Sequence, residues 1–232
     1  MTTNRTTDHP YHPASVSALA AQRHADREWY RRRIILAADE AFTTNGYHAT
    51  FMDEIGRRVG VSKPVLYNYF TGKLELYLAV LQTHLDNLVA GVRSALGAAE
   101  ENAMRVSNAV SAYFDFVDKD TAGYRLVFDS DLISEPSVQW RTRQATEACI
   151  DAVCAELLRG SSLSPKHTRA MAVGLVGASH HAARYWIEAG RPVPKADAVA
   201  ATASLCWGGL SGIDHRAPTM PLDAANAQDE SS

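Results

Sequence analysis

From Arg31 to Trp207 the apolar residues of this chain recur every three or four positions, and no stretch of any length alternates with period two. A strand turns successive side chains to opposite faces, whereas a helix returns to one face after three or four residues. The pattern therefore predicts an all-α fold. Ile34, Ile35, Ala38, Ala41 and Phe42 make the first such face, and Asn45-Gly46 stops it, as residues tolerant of left-handed dihedrals do. Thr50 is placed as the N-cap of a short second helix with Met52, Ile55 and Val59 inward, ended by Gly60. Ser62 caps a third, with Pro64 in a first turn where its missing N–H costs little, and with Val61, Leu66 and Phe70 inward. Further helices are expected over 74–96, 103–117, 124–131, 137–158, 165–188 and 196–207, with Pro136, Gly190, Pro192 and Pro194 breaking the chain between them. No internal repeat is visible.

With 232 residues, 46% hydrophobic and 21% charged, the chain can bury a substantial core and lies outside the disordered and collagen-like compositions. The expected division is a polar, disordered arm (1–28, interrupted by His9 to Pro13), a head (29–73), a body (74–213) and a disordered tail (214–232). The most apolar stretch, Met171 to Ala183, contains His180 and His181 and falls short of the roughly 18 residues of a membrane span. The first thirty residues hold no long apolar run of the kind a signal peptide needs. Cys149, Cys154 and Cys206 suit neither a disulfide framework nor a zinc site. These features predict a reduced, cytoplasmic protein with no membrane partner, metal or cofactor.

The net charge of −3 conceals an asymmetry: residues 31–73 carry +3 and residues 74–232 carry −6. A basic head on an acidic body points to a polyanion-binding segment joined to a part with another task. The head also has the matching architecture. Two short helices joined by a tight turn at Gly60 form a helix-turn-helix, whose second helix enters the major groove of DNA. With Leu66 and Phe70 inward, Lys63 is free to reach guanine or phosphate and Asn68 to read adenine, while Pro64 and Val65 offer apolar contact to a thymine methyl. The hydroxyls of Tyr67 and Tyr69, Thr50 at a helix N-terminus and Lys73 suit phosphate oxygens, which set register without reading sequence. Pattern alone leaves open a helical hairpin with an exposed tyrosine-rich face.

Gly-Val-Ser-Lys-Pro-Val-Leu-Tyr-Asn-Tyr-Phe (60–70), followed by Lys73 and Leu76, resembles the TetR family of bacterial regulators over roughly residues 29–210. The resemblance implies that Thr50, Lys63, Pro64, Val65, Tyr67, Asn68, Tyr69 and Lys73 lie at the DNA. Tyr69 departs from the histidine common there. A narrower resemblance lies mostly in the body. Phe114-Asp-Phe116, Gly123-Tyr-Arg-Leu126, Ala172 to Gly177, Ala183-Arg-Tyr-Trp186 and Trp207 to Ser211 are similar to the mycobacterial-type regulators of fatty-acid-synthase genes. That resemblance implies an activator whose DNA binding is relieved by long-chain acyl-coenzyme A.

A ligand sensor needs a largely apolar cavity between helices. Leu88, Val92, Leu96, Tyr113, Phe114, Phe116, Phe128, Tyr185 and Trp186 are the candidate lining, with ordinary core as the alternative for each. Gly174, Gly177, Ala178, His181 and Ala182, with Trp207 further on, let helices approach closely. The TetR resemblance implies that the last two long helices form the interface of a homodimer, which sets two recognition helices roughly 34–36 Å apart on a palindromic operator in double-stranded DNA. His180 and His181 are adjacent, so they point to different helix faces and make a poor metal pair. No acid, base and nucleophile set marks an enzyme. The alternative regulator is a repressor of an efflux or catabolic operon that senses another hydrophobe.

Overall fold

A computed structural model describes residues 13–128, 130–159 and 164–211, and every regular element among them is helical. In chain order these are α1 (Pro13–Ala49), α2 (Met52–Val59), α3 (Lys63–Tyr69), α4 (Lys73–Gly97), α5 (Asn102–Lys119), α6 (Thr121–Phe128), α7 (Pro136–Leu158), α8 (Pro165–Glu188) and α9 (Lys195–Ser211). The all-α expectation holds, and most boundaries agree with the sequence within two or three residues. The expected tail, 214–232, and the first twelve residues of the expected arm lie outside the described residues.

Two boundaries differ for physical reasons. Helix α1 begins at Pro13, well before the expected start near 29. Proline is tolerated in a first helical turn, and Ala18 to Ala21 supply the strongest helix formers behind it. Helix α6 begins at Thr121, three residues before the expected start. Asp120 Oδ1 accepts the Gly123 amide at 2.8 Å, which satisfies one of the orphan donors of the first turn and allows the helix to nucleate there. At the far end of α1 the expected stop is visible as a break, with Gly46 at φ 77°, ψ 170°.

The chain divides into two compact units, Met1–Val80 and Leu81–Ser232. Helix α4 supplies its first turns to one and the rest to the other. In the first unit α1, α2 and α3 pack around Ile34, Phe42, Ile55, Leu66 and Phe70, with Leu76 and Tyr77 from the start of α4. Phe42, Tyr47 and Tyr77 meet there, with ring centroids 5.3–6.0 Å apart.

In the second unit α5 packs on α8 and α9, and α7 packs on α8. Phe114 of α5 meets Trp186 of α8 at 5.7 Å, and the Trp186 indole donates to the Val193 carbonyl at 2.9 Å. Lys195 donates to Asp115 and Asp118 at 2.9 and 3.0 Å, while Arg191 forks onto Asp118. These bonds hold the start of α9 to the end of α5. Burial pushes the Asp115 carboxyl up, but hydrogen bonds from Lys195 and Lys119 outweigh it and leave the pKa lowered. Asp118 is likewise lowered, by its hydrogen bonds from Lys195 and then Arg191.

Candidate nucleic-acid interface and ligand cavity

The turn between α2 and α3 depends on two glycines. Gly60 has φ 77°, ψ 30°, a left-handed conformation that side-chain-bearing residues enter at a cost, and its amide reaches back to Arg57 O. Gly56 lets the helices close. A Cβ there would meet the Val61 carbonyl at 3.2 Å and Leu66 Cδ2 at 3.6 Å. Ser62 then starts α3 with extended dihedrals but without a side-chain cap bond, and Pro64 occupies the first turn.

Helical spacing of about 100° per residue sorts the side chains of α3. Leu66 and Phe70 are buried and define the inner direction. Pro64 and Asn68 point the opposite way, flanked by Tyr67 and Val65, and all four are exposed. Lys63 and Tyr69 lie nearer the protein. The Lys63 ammonium pairs with Asp53 of α2 at 3.1 Å, with both side chains well exposed. A pair of that kind is weak and readily exchanged for another anion. Tyr69 is half-buried, 6.5 Å from the Tyr30 ring of α1. Val61 is only half-buried, so Leu66 and Phe70 carry the inner face.

Two expected phosphate contacts are corrected. Thr50 is completely buried, and its hydroxyl donates to the carbonyls of Gly46 at 2.8 Å and Ala41 at 3.1 Å. It is not the N-cap of α2 either, because that position belongs to Phe51, which has no side-chain cap bond. Lys73 directs its ammonium at the carbonyls of Tyr47, Thr50 and His48, at 2.9, 3.1 and 3.4 Å, and lies 4.4 Å from the Tyr47 ring. Both residues clamp the end of α1 rather than offering donors outward. The sequence marks Arg23, Arg27 and Arg31 to Arg33 as residues that could trail along DNA, with a solvated arm as the alternative; the aromatic partners of two of them were not anticipated. Arg33 stands over Trp29 at 4.6 Å and Arg31 over Phe70 at 5.2 Å. The four-residue spacing of Trp29 and Arg33 was the available signal for one contact, and nothing local signals the other.

The second unit contains a cavity of about 180 Å³. Leu85 and Leu88 of α4, Tyr113 of α5, Phe128 of α6, Ile150 of α7 and Val176 of α8 form much of its wall. Leu88, Tyr113 and Phe128 were expected to line it. The other ligand candidates lie elsewhere. Val92 and Leu96 are buried away from this wall, Phe114 and Trp186 pack on each other, and Phe116 borders a more open groove between α4 and α5. Tyr185 is 67% exposed on the outer side of α8. Of the residues assigned to a dimer interface, Gly174 and Trp207 are exposed, Ala178 and Ala182 half-buried, and Gly177 and His181 also border the cavity. Val173, Tyr185 and Leu205 add exposed apolar surface to α8 and α9.

Inside the cavity the hydroxyl of Tyr113 and the thiol of Cys149 share a hydrogen bond, and burial raises the pKa of both groups. The His180 ring packs on Phe128 at 4.4 Å. Burial, then the charges of His181 and Arg184, push its pKa down to about 4, so it is neutral at physiological pH. Among the described residues no group of three or more His, Cys, Asp or Glu side chains could hold a metal ion, and no helix is long and apolar enough to cross a membrane.

Residues 34–80 match the family model described as bacterial regulatory proteins of the tetR family. The chain is 51% identical over 187 residues to the HTH-type transcriptional activator FasR of Mycolicibacterium smegmatis, covering 81% of this chain and 85% of that one. The chain belongs to the TetR family of bacterial regulatory proteins. It is thereby a helix-turn-helix, DNA-binding transcriptional regulator. TetR-family structures share its fold. A tetR-family regulator from Streptomyces coelicolor superposes with a TM-score of 0.65 at 22% identity, covering 81% of this chain and 84% of that one. The regulator FadR from Bacillus subtilis, solved in complex with stearoyl-CoA, does so with a TM-score of 0.63 at 16% identity, covering 77% of this chain and 98% of that one. At those identities the structures establish the fold alone.

Proposed function

We propose that this TetR-family chain is a homodimeric regulator of fatty-acid-synthase genes, whose grip on a palindromic operator is released by long-chain acyl-coenzyme A. The observation that carries the reading is the 51% identity to FasR over 187 residues. The family match ends at residue 80, so that identity extends far into the body, where the effector would bind. The apolar cavity supports the same ligand class, and FadR, of like fold, was solved with stearoyl-CoA.

The walls of the cavity, drawn from five helices, give the ligand a means of acting. In this reading an acyl chain enters among the wall helices and separates them. Binding then favours an expanded body over the present one, and differential affinity of this kind is what shifts a conformational equilibrium. Helix α4 gives Leu85 and Leu88 to the wall, and its first turns give Leu76 and Tyr77 to the head core. It is the covalent element through which expansion reaches the recognition helices.

The test is fluorescence anisotropy of a labelled duplex from the promoter of the host's fatty-acid-synthase gene, at fixed salt, with acyl-coenzyme A of increasing chain length. Saturable operator binding, lost with long chains and retained with short ones, is the expected result. Operator binding that no acyl chain disturbs would remove the ligand from the account, and absence of operator binding would remove the target.

A further inference from the structure

Two polar atoms in the cavity have no place in a slot for plain hydrocarbon. Thr142 of α7 and His180 of α8 both border the cavity. Thr142 Oγ1 and His180 Nε2 are buried, and neither has a hydrogen-bond partner among the described residues. The contrast with their neighbours is informative. Tyr113 and Cys149 bond each other, so their polar atoms are satisfied within the protein. Buried polar groups are nearly always paired, and an orphan requires an explanation of its own. Two orphans on packed helices, bordering one cavity, share the same explanation if a ligand atom completes both.

Building on the acyl-coenzyme A reading, we infer that Thr142 and His180 form an oxygen-reading pair: the effector carries a carbonyl or hydroxyl oxygen that hydrogen-bonds to Thr142 Oγ1 and His180 Nε2 inside an otherwise apolar cavity. A threonine hydroxyl donates one hydrogen bond and accepts others, and a neutral imidazole nitrogen does one or the other according to tautomer. Such a pair suits an uncharged oxygen. A carboxylate would find no Lys or Arg among the described residues that line the cavity, and the His180 imidazole is neutral at physiological pH. The oxygen has two sources in an acyl-coenzyme A. One is the thioester carbonyl at the head of the chain, and the other is a keto or hydroxyl group carried along it. The pair makes the cavity selective: a wholly hydrocarbon segment in the same place would leave both atoms unpaired, the asymmetry by which a polar site rejects an apolar analogue.

Calorimetric titration of the full chain tests this with three probes: stearoyl-coenzyme A, its thioether analogue in which the carbonyl is a methylene, and 12-hydroxystearoyl-coenzyme A. The wild-type protein is expected to prefer at least one oxygen-bearing probe over its oxygen-free counterpart by about 10-fold, the effect of losing a partner for a buried polar group. Preference for thioester over thioether assigns the carbonyl, and preference for the hydroxylated chain over stearoyl assigns the chain oxygen. Thr142→Val and His180→Phe should each reduce that preference to about 2-fold or less, and Thr142→Ser should restore it. A pair that is merely structural would behave otherwise: its removal would lower the melting temperature without changing the order of the probes. Wild-type affinities within 2-fold across all three probes would overturn the pair while leaving the acyl-coenzyme A sensor standing. No saturable binding of stearoyl-coenzyme A would overturn the sensor and the pair together.

Discussion

If α3 enters the major groove, Asn68 is the residue best placed to read a base. It points away from the buried Leu66 and Phe70, is exposed, and carries the amide that pairs with adenine in the major groove. Asn68→Ala should weaken binding to the operator by about 1–3 kcal/mol while changing binding to random duplex far less; equal losses in a competition titration would show that Asn68 reads no base. Lys63 and Lys73 look alike in the sequence and should behave differently. Lys63→Met breaks only a surface pair with Asp53, so thermal stability should move by less than about 0.5 kcal/mol. Lys73→Met removes the ammonium that the carbonyls of Tyr47, Thr50 and His48 share and should cost about 1–3 kcal/mol in denaturant melts. The outward set on α3 was legible because helical period alone assigns faces. The roles of Thr50 and Lys73 were not, because the carbonyls they bind are fixed by tertiary approach, and a donor near a helix end reads the same whether it points in or out. The orphan atoms of Thr142 and His180 were hidden for the same reason: only packing reveals which polar groups lack partners.

At the scale of elements the sequence was most informative where glycine, proline and caps punctuate the chain. The breaks at Gly46 and Gly60 and the helices over 137–158 and 165–188 were all anticipated. The start of α6 was missed because Asp120 serves two partners at once: one oxygen caps the helix at Gly123 and the other meets His84 Nδ1 at 2.6 Å. Burial raises the pKa of Asp120, but the hydrogen bond to His84 and the Gly123 amide together lower it. Gly123 has to be glycine at this junction, since a Cβ would overlap the His84 ring and the Asp120 carboxylate. Gly123→Ala should therefore destabilise the body by about 1–3 kcal/mol through forced displacement of packed groups. A melting temperature equal to wild type would show that this junction yields. His180 supplies a pH dependence of its own. Its pKa is about 4 in the folded chain against 6.5 in the unfolded one, so the unfolded state binds a proton first as pH falls. Stability associated with His180 is intact above about pH 6.5 and lost progressively down to about pH 4. His180→Phe should flatten that part of the stability profile relative to wild type in denaturant titrations at stepped pH.

The whole molecule combines a basic head with an acidic body, and the proposed homodimer has two copies of both. Val173, Tyr185, Leu205 and Trp207 put exposed apolar surface on α8 and α9, and exposed patches of this kind mark association surfaces. If that surface makes the proposed dimer, Leu205→Asp should yield monomers in sedimentation equilibrium and weaken operator binding, because one head reaches only one half-site. A dimer indifferent to this change would place the interface elsewhere. The central claim is that one molecule couples an operator site to an acyl site, and coupling of binding free energies is reciprocal. The most direct test is the affinity for stearoyl-coenzyme A measured twice, on the free protein and on the protein saturated with operator duplex. The account predicts that operator weakens acyl binding by the same factor by which the acyl ligand weakens operator binding. Equal affinity in both titrations would contradict it.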